Sequence, residues 1–246
     1  MVVHEKGQWL AESLQGLASQ TYDALQVLVL VTGTQDDPLA RDILDTVATQ
    51  MPTAVVRFLG GNPGFGAACN SVLNLVDGNT GLFCFLHDDV ALAPDAIGRL
   101  AEELSRSNAG AVGPKLVYWD DPRMIQSVGI AVDRFGNSVP IAEDGELDQE
   151  QHDAVQDVFV VSSACIMVRA DLFATIGGFN PDLPVAGADL DLCWRLHATA
   201  ARVMVVPSAI GRHRENSSQA VVDSSIQENF LENEIVRLRT VASLTS

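Results

Sequence analysis

"FCFLHDDVALAP", residues 83–94, decides how this chain is read. An apolar run from Phe83 to Leu86 leads straight into His87, Asp88 and Asp89, and the chain then turns apolar again as far as Pro94. Adjacent carboxylates repel, so such a pair belongs where water, a cation or a donor group offsets the charge. Carboxylates beside an imidazole suit a hard or borderline divalent ion such as Mg²⁺ or Mn²⁺. The competing reading makes Asp88 and Asp89 caps of the helix opening near Pro94. They lie five or six residues upstream of it, too far for a cap.

Outward from this stretch the segments alternate. "GLFCFL" (81–86) is one of four β-rich runs, with 24–31, 54–60 and 109–117. Helical patterns occupy 7–20, 38–50, 64–76 and 93–107; Trp9, Leu10, Leu14 and Leu17 share one face, and Leu100 and Leu104 repeat one turn apart. Continuous apolar strands alternating with helices predict an α/β/α sandwich with a mainly parallel central sheet. Ligands of such sheets bind where loops leave the carboxyl ends of the strands. "TGTQDD" (32–37) and "HDD" (87–89) both stand at such ends.

Beyond residue 118 the pattern changes. Residues 119–157 carry turn signals and an acidic run, Glu143 to Asp157, that reads as a solvated surface loop. Regular structure resumes at 158–179 as a strand and a helix ended by Gly177–Gly178. The last pattern, 224–244, aligns Ile226, Phe230, Ile235 and Leu238 as a helix. The expected division is one domain over 1–220 and a C-terminal helix within 221–246.

Composition narrows the partners. With 246 residues and 47% hydrophobic content, the chain can bury a substantial core. Thirty-two acidic against 15 basic residues give a formal net charge of −17, which argues against nucleic acid. An anionic small molecule would need a cation or local N–H groups to offset that charge. No apolar stretch is long enough to span a bilayer, and no basic n-region precedes a long apolar run, so a soluble piece without a signal peptide is expected. Cys69, Cys84, Cys165 and Cys193 are scattered through apolar contexts and read as free thiols of a reducing cytoplasm.

Three further clusters have chemical content. "GGNPGFGAACN" (60–70) opens a helix with glycines, which can cradle phosphate on N–H groups or let the backbone approach a ring. In "AGADLDLCWRLH" (186–197), Asp189 and Asp191 cannot share a helix face, so one should face a cleft while the other bonds locally. "IGRHRENSS" (210–218) follows the apolar run 201–209.

In order and spacing, "GGNPGFGAACN", "FCFLHDDVALAP", "GPKLVYWDDP" and the stretch from Val161 to His213 resemble glycosyltransferase family 2, the inverting enzymes of the GT-A fold. The likeness covers about residues 1–216 and is nearest to bacterial transferases of rhamnose, galactofuranose or mannose in cell-envelope glycan synthesis. It implies a nucleotide-sugar donor, a glycan or polyprenyl-linked acceptor and a divalent metal. It also implies a place at the cytoplasmic face of the membrane, with membrane association through a region after this domain. Asp89 matches the last aspartate of the family's Asp-x-Asp signature and His213 a metal-completing histidine. Asp189 matches the general base. Thr32, Gly33, Asn62, Gly64, Asn70, His87 and Asp88 fall on the nucleotide-sugar side.

Two positions depart from the pattern. Val31 stands where relatives place an aspartate that bonds the base or ribose, and Ala188 where they place the acidic partner of the catalytic aspartate. These departures motivate the alternative, a weakened or inactive GT-A module that binds or scaffolds. A nucleotidyltransferase would show a glycine-rich, basic N-terminal signature, which this chain lacks.

Overall fold

The computed structural model describes residues 1–4, 7–76, 80–134, 138–183 and 187–214. The C-terminal helix expected within 221–246, and the boundary before it, lie outside the described residues.

The chain opens with β1 (Val2–Val3), α1 (Leu10–Ala18), β2 (Leu28–Val31), α2 (Ala40–Gln50) and β3 (Val55–Phe58). Two short helices follow, α3 (Phe65–Asn70) and α4 (Val72–Leu75), and then β4 (Leu82–Leu86), β5 (Val90–Leu92) and α5 (Ala96–Ser107). β6 (Ala111–Tyr118) leads into the excursion, which holds β7 (Ile125–Ser127), β8 (Ile130–Val132), β9 (Ser138–Pro140) and β10 (Gln156–Asp157). β11 (Cys165–Arg169), α6 (Ala170–Thr175), α7 (Ala188–Ala198) and β12 (Val203–His213) complete it. The pattern at 64–76, expected as one helix, is two: Ser71 N–H turns to the Ala68 carbonyl, a tighter i→i−3 bond that ends the first.

The layers are those expected, and the strand directions are mixed. β1, β2 and β3 pair in parallel, and β12 runs parallel to β6. β11 enters antiparallel between β4 and β6, while β5 and β10 lie antiparallel on β12. A parallel bridge from Val2 to His87 joins the three-stranded sheet to the larger one.

Strand alternation divides the core into two slabs. Val3, Val29, Val31, Leu86, Cys165, Met167 and Met204 face Leu10, Leu14, Ile43, Val47, Leu100 and Leu104 of α1, α2 and α5. Val2, Leu30, Phe85, Ile166, Val168 and Val205 face Phe65, Phe173, Leu192 and Leu196 of α3, α6 and α7. All four cysteines are free.

Most of the acidic run is exposed, as expected, but two of its carboxylates serve a buried lysine. Asp148 and Asp153 reach Lys115 Nζ at 2.8 and 2.6 Å, and Lys115 is only 2% exposed. Ile125 N–H donates to the Glu146 carbonyl at 2.8 Å, so the loop is packed down along β7. A buried ammonium on β6 needs anionic company, and this loop supplies it.

Candidate active site

β4 ends at Leu86 and β5 begins at Val90, so His87, Asp88 and Asp89 fill the tight connection. Three strands hold that turn. His87 N–H donates to the Ala164 carbonyl at 3.0 Å, just before β11 begins. Val2 of β1 bridges to His87. β5 then pairs with the last residues of β12, placing His213 opposite Val90, and Arg214 N–H donates to the Asp89 carbonyl at 3.1 Å.

This pairing brings His213 Nε2 to 3.5 Å from Asp89 Oδ1. His87 Nδ1 lies 3.9 Å from the same oxygen. One ligand atom from each of His87, Asp89 and His213 lies within 4.8 Å of the others, and Asp89 is 1% exposed. Two imidazoles and a carboxylate suit a divalent cation.

The protonation states agree with that fit. Burial, aided by His213 and His4 and opposed by Asp89, pushes His87 down to about 3, so its ring is neutral. Gln126 Oε1 lies 2.7 Å from His213 Nδ1. A carboxamide oxygen only accepts, so Nδ1 donates to it and Nε2 is the ring atom turned toward Asp89. Gln126 has no motif around it, and no local signal in the sequence singled it out.

The paired carboxylates separate. Asp88 Oδ2 accepts the backbone N–H of His4 at 3.2 Å, tying the end of β1 to the turn. Asp88, expected on the nucleotide, is thus engaged with the backbone, and His87, expected beside it, joins the cation-type cluster.

Two other expected segments meet at the ends of β2 and β3. Gly33 N–H donates to the Gly61 carbonyl at 3.1 Å, and Gly60 N–H returns the bond to Gly33 at 2.8 Å. Gly33 and Gly60 have φ of 119° and 77°, conformations that side chains resist. Thr32 Oγ1 lies 3.2 Å from His4 Nδ1. Asn62 Oδ1 accepts Gly64 N–H at 3.0 Å, turning the chain into α3, whose Phe65 packs edge-on against His87 at 4.4 Å between centroids.

Asn70, expected on the nucleotide side, bonds the backbone of Phe179. Its Nδ2 donates to the Phe179 carbonyl and its Oδ1 accepts Phe179 N–H, both at 2.8 Å. The carboxamide pins the turn after α6 to α3. Val31 is 2% exposed and faces the slab under α1 and α2.

Asp189 sits in the first turn of α7. Its Oδ2 accepts Ser163 N–H at 3.3 Å, and its Oδ1 accepts Leu190 N–H at 2.9 Å. Burial raises its pKa, and these two N–H groups partly offset the rise. Asp191 takes the local role, pairing with Arg195 at 2.6 Å. Because β11 is antiparallel to β4, the residues preceding it lie at the carboxyl end of β4. Ser163 therefore bonds Asp189 while its neighbour Ala164 bonds His87. Ala188, 2% exposed, packs in the slab under α3 and α7.

The family model described as Glycosyl transferase family 2 matches residues 1–177. The uncharacterized protein y4gI of Sinorhizobium fredii is 29% identical over 153 residues, 58% of this chain and 16% of that protein. The O-antigen biosynthesis protein RfbC of Myxococcus xanthus is 27% identical over 144 residues, 56% of this chain and 11% of that protein. This chain thus spans a small part of the curated relatives it matches. Among solved structures, GalNAc-T7 with UDP, GalNAc and Mn²⁺ superposes with a TM-score of 0.67 at 11% identity, over 87% of this chain and 43% of that one. S. aureus TarS gives 0.59 at 16% identity, over 87% and 35%. These likenesses show a shared GT-A architecture, and the family match, over most of the chain, shows that it belongs to glycosyl transferase family 2.

Proposed function

We propose that this chain is a metal-assisted, inverting glycosyltransferase that moves a sugar from a nucleotide-diphosphate donor to a hydroxyl of a glycan or polyprenyl-linked acceptor. One observation carries the reading: the dipeptide Ser163–Ala164 bonds Asp189 on one side and the His87 turn on the other. It ties a carboxylate of raised pKa and the turn that carries a cation-type cluster to the same two residues. The GalNAc-T7 structure, which holds UDP, GalNAc and Mn²⁺, supports the donor and cofactor classes.

In this reading His87, Asp89 and His213 hold the cation, which supplies positive charge to the diphosphate leaving group. Asp189 accepts the proton of the acceptor hydroxyl. The acceptor oxygen forms its bond to the anomeric carbon as the bond to the diphosphate oxygen breaks. The electron pair leaves with the nucleoside diphosphate, and the configuration inverts. Ser163 N–H holds the Asp189 carboxylate in place through this exchange. Among the described residues no helix is long and apolar enough to cross a membrane; we place the domain at the cytoplasmic membrane face, where polyprenyl-linked acceptors are reached.

A second reading, a non-catalytic module, draws on Val31 and Ala188, both buried and apolar. Transfer assays with Mn²⁺ and UDP-, GDP- and dTDP-sugars separate the two. Turnover by the wild type that disappears in Asp189→Asn supports the enzyme; nucleotide-sugar binding without turnover supports the module.

A further inference from the structure

We infer that Ser163 reads the acceptor through its hydroxyl. The acceptor is then a sugar ring: one hydroxyl meets Asp189, and the hydroxyl on the neighbouring carbon bonds Ser163 Oγ. The inference rests on the transferase reading above and narrows its acceptor to a vicinal diol. The two serines before β11 are used differently. Ser162 Oγ accepts the Ala164 N–H at 3.2 Å and its carbonyl accepts the Cys165 N–H at 3.2 Å, so this residue shapes the turn. Ser163 gives its backbone N–H to Asp189 Oδ2 at 3.3 Å, and its hydroxyl makes no hydrogen bond among the described residues. The residue is half-buried, and its Oγ is not one of the buried polar atoms left without a partner. Solvent, and therefore a ligand, can reach it.

Position decides which reactant that hydroxyl meets. Ala164 is the cluster's end of the dipeptide: it is 1% exposed, and its carbonyl takes the His87 N–H at 3.0 Å. Ser163 is the base's end. Covalent geometry keeps its Oγ close to the nitrogen that Asp189 holds, so the hydroxyl stands beside that carboxylate in every staggered rotamer. Asp189 Oδ2 keeps a further lone pair for the acceptor proton. Adjacent ring hydroxyls of a sugar stand within hydrogen-bond distance of each other, and a carboxylate oxygen beside a serine hydroxyl matches that pair. Ser163 Oγ donates or accepts as its partner requires, and it brings no charge. A phosphate acceptor offers no neighbouring hydroxyl. It would also set another anion against Asp189, in a chain of net charge −17.

Transfer assays with Mn²⁺ and UDP-, GDP- and dTDP-sugars test this on octyl mannoside, octyl galactoside, their monodeoxy analogues and octyl phosphate. The wild type should glycosylate an octyl glycoside. Deleting the hydroxyl next to the one glycosylated should raise the acceptor KM about tenfold, the scale of one hydrogen bond. Ser163→Ala should raise the KM of the full glycoside by a similar factor and make the enzyme indifferent to that deletion, since the two changes remove one shared bond. Ser163→Thr, which keeps a hydroxyl, should keep the discrimination. A wild type indifferent to the neighbouring hydroxyl, or a Ser163→Ala variant that still discriminates, overturns the inference. So does a change confined to the donor KM, or a preference for octyl phosphate. A wild type that releases nucleoside diphosphate but glycosylates none of these glycosides overturns it as well. Release of no nucleoside diphosphate from any donor removes the transferase reading itself, and this inference with it.

Discussion

Asp88 and Asp89 are consecutive residues whose carboxylates work at different places. Asp88 Oδ2 takes the His4 backbone N–H at 3.2 Å, and Asp89 Oδ1 faces His213 Nε2 at 3.5 Å. The turn between β4 and β5 keeps the like charges apart by giving each its own counterpart. One carboxylate holds the scaffold, and the other faces the two histidines.

The cluster should bind a cation through a supported histidine. Asp89→Ala should lower Mn²⁺ affinity by roughly a hundredfold or more, and Gln126→Leu, which removes the acceptor behind His213, by about tenfold. Titration calorimetry with Mn²⁺ alone checks both. A Gln126→Leu variant with wild-type affinity would show that His213 needs no support.

Asp189 should set the acid side of the activity profile. Burial raises its folded-state pKa, so the ionised base is present above that value and is lost as pH falls through it. The acid limb of kcat/KM should therefore lie above the ordinary aspartate value of 3.8. Asp189→Asn should remove turnover while leaving Mn²⁺ binding intact. A limb at or below the ordinary value would exclude Asp189 as the base.

Lys115 should matter for stability through the acidic loop. Lys115→Met leaves Asp148 and Asp153 facing each other, a loss of about 2 kcal/mol. The figure sits below that for a fully buried pair because Asp153 is 53% exposed and can turn to water. Burial lowers the lysine pKa, but the bonds to Asp148 and Asp153 outweigh it, so the net shift is upward. Its stabilising contribution is complete below the unfolded value of 10.5 and fades as pH rises through the higher folded one. Urea melts from neutral to alkaline pH should show a steeper alkaline decline in the wild type than in Lys115→Met, and loop cleavage by protease should rise in the variant.

Asn70 should act on folding rather than on ligands. Asn70→Ala removes two bonds to the Phe179 backbone and leaves a buried N–H and carbonyl without them, a cost of about 2 kcal/mol. Gly178→Ala should be comparably harmful: its Cβ would fall 2.2 Å from Asn70 Oδ1, at a φ of 75°. Both variants should show lower melting temperatures, with Mn²⁺ affinity unchanged in the folded fraction.

The layering was legible because it is written in local periodicity. Leu10, Leu14 and Leu17 repeat at helical spacing, and the run from Phe83 to Leu86 carries a strand whatever it pairs with. Strand direction leaves no such trace: the run Cys165–Arg169 would look the same in either orientation, and only its neighbours make β11 antiparallel. The acidic run reads as solvated and most of it is; the bond of two of its carboxylates to Lys115 leaves no local trace, because that lysine lies in a distant apolar strand. Gln126 is a single polar residue without a surrounding pattern, so nothing local marks it.

By itself, then, the sequence determined the α/β class, the order of its elements and the polar turns at the strand ends, because side-chain periodicity and turn chemistry act over a few residues. Tertiary structure alone decided which side chains meet: His213 reaches Asp89 only because β5 turns back onto the end of β12. It also decided which carboxylate of each pair is spent on the scaffold. Those outcomes depend on the register of strands far apart along the chain, and hydrogen bonds across a sheet are set by backbone geometry that residue type does not encode.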